Sequence, residues 1–121
     1  MSTFFVNFAA SLALVCTSTA AFAHARLQKA TPDVGGKVAS ASEIRLKFSE
    51  GVEPPFSGLA LTAAGGQSVP LGPAKVLSGD PSVLVVPLAK PLAPGVYTVH
   101  WHAVSVDTHH IQGDFDFAVS P

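Results

Sequence analysis

Sulfur is almost missing from this sequence. Its 121 residues include one Cys, Cys16, and one Met, Met1. A single Cys forms no internal disulfide, so the fold must be held by an apolar core. A basic excess is missing too. Seven Lys and Arg stand against eight Asp and Glu, for a formal net charge of −1. That balance argues against a nucleic-acid partner and leaves no polybasic patch for a membrane surface. Common enzyme signatures are absent: there is no nucleophile elbow and no phosphate loop. The apolar run Phe4 to Val15, broken by Asn7 and Ser11, is too short to cross a bilayer comfortably.

The same absences divide the chain. Residues 1–23 contain no Asp, Glu, Lys, Arg, Pro or Gly, so every one of the 10 Gly and 10 Pro falls in residues 24–121. Residues 1–23 read as an export leader: an apolar core, then Ala21-Phe22-Ala23 with small residues at −3 and −1 of a cut after Ala23. No Lys or Arg precedes the apolar run, so only the α-amino group supplies positive charge there. Val15 precedes Cys16 where a lipidated Cys normally follows Gly or Ala, which argues against a lipid anchor. The expected product is a periplasmic protein that begins at His24 and contains no sulfur. Residues 24–121 are the length of one domain.

What is present in that domain is strand and turn. Gly and Pro make up roughly a fifth of it, against an ordinary share of about 12%, which excludes a helical bundle. Glu43 to Phe48 alternates, with Ile44, Leu46 and Phe48 facing a core. Leu59 and Leu61 alternate before a Gly65-Gly66 turn. Val83 to Val86 is continuously apolar, as expected of a strand covered on both faces. Val96 to Val104 is the longest strand pattern, with Tyr97, Val99, Trp101 and Ala103 on one face. Phe115, Phe117 and Val119 point inward on the last strand, which is expected to start near Asp114. An all-β, immunoglobulin-like two-sheet Greek-key sandwich of about seven strands is therefore expected.

Chemistry concentrates in the five histidines. Four lie between Val96 and Ile111, and the fifth is His24. As a first residue, His24 offers its α-amine and its ring Nδ1 to one metal as a chelate. The second bond then adds little entropy cost. Asp107-Thr108-His109 supplies two more donors, because residues i and i+2 of an extended segment project to one side. Two imidazoles, an amine and a carboxylate form an N3O set, which suits tetragonal Cu(II). Missing Met and Cys argue against a Cu(I) site and exclude a blue-copper centre. His110 is expected to face solvent, and His100 and His102 to lie on the face opposite Trp101.

These residues carry a resemblance. The sequence His24-Ala25-Arg26-Leu27 after Ala-Phe-Ala resembles the mature start of the CopC family of periplasmic copper-binding, copper-resistance proteins. The segment Leu46-Lys47-Phe48-Ser49-Glu50-Gly51-Val52-Glu53-Pro54 and the stretch Tyr97 to His109, followed by Gly113, Phe115 and Phe117, resemble two further family motifs. The resemblance implies a cupredoxin-like β-sandwich that binds Cu(II) in copper homeostasis or resistance. It implies His24, Asp107 and His109 as ligands, Glu50 as a carboxylate supporting them, and a CopD-type inner-membrane copper transporter as partner. Many members also carry a Met-rich Cu(I) loop, from which this sequence departs.

Two other readings compete. A copper-dependent monooxygenase also uses an N-terminal His on a β-sandwich, but it needs an open position for oxygen and a broad substrate face. This chain offers a carboxylate ligand and few aromatics for a sugar-binding plane. A metal-free adhesion module is the other reading. The chain is expected not to be an enzyme.

Overall fold

The computed structural model describes residues 26–121. The leader and His24 lie outside the described residues. Among the described residues, nine strands form two sheets. One sheet has the order β1 (Leu27–Thr31), β3 (Glu43–Phe48), β7 (Asp80–Pro87), β6 (Lys75–Leu77). The other has the order β2 (Lys37–Val38), β9 (His110–Val119), β8 (Gly95–Val104), β4 (Gly58–Ala63), β5 (Ser68–Val69). This is the expected two-sheet sandwich, with consecutive strands repeatedly changing sheets. Three of the strands, β2, β5 and β6, have only two or three residues, too short to show any alternation. One 3₁₀ turn, Pro54–Phe56, begins with the Pro pair. Among the described residues, no helix is long and apolar enough to cross a membrane.

The alternation in the sequence decides which faces meet. Ile44, Leu46 and Phe48 from β3 are fully buried against Val99, Ala103 and Phe117 from the opposite sheet. Tyr97 stacks on Phe117 at 5.7 Å, and Phe48 meets the edge of Trp101 at 5.4 Å. The continuous run Val83 to Val86 is buried throughout. Leu84 and Val86 enter the core. Val83 and Val85 point outward, beside Lys47, Arg45 and Lys75 in the cross-strand register. The alkyl stems of those long cations cover this outer apolar row while their charged ends stay wet.

The β8–β9 hairpin is longer than its sequence pattern suggested. Its ladder runs without a break from Gly95↔Val119 to Val104↔His110, so β9 begins at His110 instead of near Asp114. Gly113 lies opposite Trp101 in this ladder. A Cβ there would fall 2.7 Å from the indole Cζ2 and 2.9 Å from Cε2. Gly113→Ala must displace a half-buried ring packed on Phe48. Overpacking of this kind costs about 1–3 kcal/mol, which a urea unfolding curve should register as a lower midpoint with an unchanged slope.

Candidate metal centre

The chain leaves β8 through a tight turn. Ser105 N–H donates to His109 O at 2.9 Å and Thr108 N–H donates to Ser105 O at 2.8 Å. Thr108 has φ of 71°, a left-handed conformation unusual for a β-branched residue. Such strain costs on the order of 1–3 kcal/mol and collects at functional sites. The segment is therefore not extended, as the i, i+2 argument assumed. The turn brings the two donors together by a different route, with His109 Nδ1 3.0 Å from Asp107 Oδ2.

Ser105 organises this turn. It is fully buried, and its hydroxyl oxygen accepts the His109 N–H at 3.1 Å. The same hydroxyl donates to Asp107 Oδ1. That hydrogen bond is the main reason why the Asp107 carboxyl lies at about 2, below its ordinary 3.8. A partial desolvation opposes it, and the hydrogen bond from His109 lowers it further. Asp107 is thus an anion throughout the neutral and mildly acidic range. Because its folded value is depressed, its contribution to stability is complete above about pH 4 and is lost as pH falls toward 2.

A second stretch of chain comes to the same end of the sandwich. Ser49 N–H donates to Arg26 O and Arg26 N–H donates to Ser49 Oγ, both at 2.9 Å. Ser49 leads into Glu50 and Gly51, and Gly51 O accepts the Val106 N–H at 3.0 Å. Val52 bridges Ser105. The start of β1 and the end of β8 are in different sheets, so they are not strand neighbours. Residues 49–52 connect them by crossing from one sheet to the other. Glu50 Oε1 is buried there with no hydrogen-bond partner among the described residues. A buried carboxylate oxygen left unpaired is costly. It calls for a cation or an N–H donor beside it, and His24 lies two residues upstream of Arg26.

The donor spacing fits one ion. Two cis ligands with bonds of about 2.0–2.2 Å lie about 2.9 Å apart, close to the 3.0 Å between His109 and Asp107. No set of three His, Cys, Asp or Glu suited to a metal occurs among the described residues. His100, His102 and His110 are exposed, as expected. His100 nevertheless has specific partners, Asp114 and Thr62, at 2.8 and 3.1 Å. Sequence reasoning missed this pairing because it started β9 too late to set Asp114 opposite His100.

Known proteins share this framework. Residues 27–120 match the CopC domain. The chain belongs to the CopC family. Within reach of that assignment is protein YobA of Escherichia coli (strain K12), 42% identical over 113 residues that cover 90% of this chain and 91% of that protein. Copper resistance protein C of Xanthomonas campestris pv. juglandis is 37% identical over 124 residues, covering 98% and 94%. Among solved structures, PcoC, a methionine rich copper resistance protein from Escherichia coli, superposes with a TM-score of 0.73. It is 34% identical and covers 80% of this chain and 99% of that one. This CopC-family chain has only Met1, so it shares PcoC's fold without being methionine rich.

Proposed function

We propose that this CopC-family chain is a periplasmic Cu(II) carrier or scavenger, exported by cleavage after Ala23. One Cu(II) is held by the His24 amine and ring, the Asp107 carboxylate and the His109 ring. The observation that carries this reading is the Asp107–His109 pair at 3.0 Å, at the end of the sandwich where the chain enters β1. Family membership and the copper-resistance names of its relatives support the choice of metal. N and O donors without sulfur favour Cu(II) over Cu(I). A CopD-type membrane protein is the proposed recipient. The test is a Cu(II) titration of the exported protein followed by EPR. One tight equivalent with a nitrogen-rich tetragonal spectrum is expected; a spectrum without nitrogen coupling, or no tight equivalent, would reject the reading.

Charge explains Glu50. Cu²⁺ with one Asp107 carboxylate leaves a net +1 in a partly dehydrated site. The buried Glu50 oxygen offsets that charge and accepts a hydrogen bond from the N-terminal amine. Loss of such a supporting partner typically weakens metal affinity about 10–100-fold. Glu50→Gln should fall in that range in a competition titration, and a change below twofold would remove Glu50 from the site.

Protons compete with copper at the nitrogen donors. Imidazoles generally take up protons near about pH 6.5 and α-amines near about 7.7–8.0. Asp107, ionised down to about pH 2, gives up no proton on binding. Cu(II) uptake near pH 7 should therefore release about one to two protons, read from calorimetry in buffers of different ionisation enthalpy. Apparent affinity should fall as pH drops from about 7 to 5, and the carboxylate contributes nothing to that slope.

A further inference from the structure

The outer face of the five-stranded sheet carries a second set of donors, apart from the turn at residues 105–109. His100 and His102 both project outward from β8, two residues apart, a separation of roughly 6.6–6.8 Å along a strand. Both line one open trough of about 600 Å³, together with Gln112 and Asp114. In the ladder His100 faces Asp114 and His102 faces Gln112.

The hydrogen bonds set the tautomer of the neutral His100 ring. Its Nδ1 lies 2.8 Å from Asp114 Oδ1, and its Nε2 lies 3.1 Å from Thr62 Oγ1. An ionised carboxylate only accepts, so Nδ1 carries the ring proton. Nε2 then keeps its lone pair and accepts the Thr62 hydroxyl hydrogen. A carboxylate behind one ring nitrogen, with the other nitrogen presented as a donor, is the usual environment of a metal-ligating His. His102 is exposed and has no hydrogen bond among the described residues, so its ring turns toward a shared ion without losing a partner.

We propose that His100 and His102 form a second site for a divalent transition metal such as Cu(II), with Asp114 orienting His100. Thr62 pairs with Thr98, on the side of His100 away from His102, so the exposed His100 ring gives up its Thr62 bond and swings toward His102 to share the ion. Two imidazoles completed by water bind more weakly than the four-donor site, so this site fills second. The inference stands independently of the proposed role for His24, Asp107 and His109.

Titration of the exported protein with Cu(II) alone, by calorimetry and EPR, tests it. A second, weaker equivalent is expected after the first. His102→Ala should abolish the second equivalent and leave the first within about twofold. Asp114→Asn should weaken only the second, by about 10–100-fold. His109→Ala should weaken the first and spare the second, which keeps failure of the two sites distinguishable. Absence of a second equivalent, or its survival in the His100→Ala, His102→Ala double variant, would overturn the proposal.

Discussion

Acetylation of the His24 α-amine should lower Cu(II) affinity by roughly 10²–10⁴-fold, the usual gain from linking two donors into one chelate. The acetyl group turns the α-amine into an amide and leaves no free amine to anchor the metal. The His24 ring, Asp107 and His109 stay in place, and the strand that starts at Leu27 is untouched. The unfolding midpoint of the metal-free protein should therefore be unchanged. The midpoint with copper should fall, because at a metal concentration of 100 Kd binding adds about 2.7 kcal/mol and at equal concentration a weaker ligand adds less. Native affinity in the acetylated protein would show that the amine is not a ligand.

His109→Ala is the second large effect. Loss of a direct ligand should exceed the ~10–100-fold typical of supporting residues. The turn itself should survive, since the hydrogen bonds of residue 109 to Ser105 use its backbone N–H and C=O. Ser105 also continues to hold Asp107. A drop in affinity without a drop in metal-free stability is therefore the expected signature in paired titration and thermal unfolding. His110→Ala is the matched control. His110 is exposed and starts β9, and its removal should change affinity for the tight equivalent by less than about twofold. Equal losses from both substitutions would mean that the turn, and not the imidazole, was being measured.

Much of the fold was legible because burial follows period-2 alternation. Ile44, Leu46 and Phe48 face the core as the pattern requires, and so do Tyr97, Val99, Phe115 and Phe117. β2, β5 and β6 were not legible: segments of two or three residues carry no period. The start of β9 was misplaced because Ile111, Gln112 and Gly113 lack the strong alternation of Phe115 to Val119. Register was the consequence, and with it the pairing of His100 with Asp114.

The donor pair was legible in a different way. Asp107 and His109 were identified by residue type and spacing, but on the assumption of an extended segment. The left-handed Thr108 makes a turn there, which a β-branched residue gives little reason to expect. Ser105, the buried hydroxyl that lowers the Asp107 carboxyl and anchors the turn, gave no signal in the sequence beyond its neighbours. Its role follows from one buried oxygen serving two residues on the same turn.

The central claim is that two distant parts of the chain close on one ion. A crystal structure of the exported protein loaded with Cu(II) tests it most directly. The expected result is one copper bonded to the His24 amine, a His24 ring nitrogen, an Asp107 oxygen and a His109 nitrogen, each at about 2.0–2.2 Å. A copper bound elsewhere, with the His24 amine more than about 10 Å from both Asp107 and His109, several times any metal–ligand bond, would contradict the assignment.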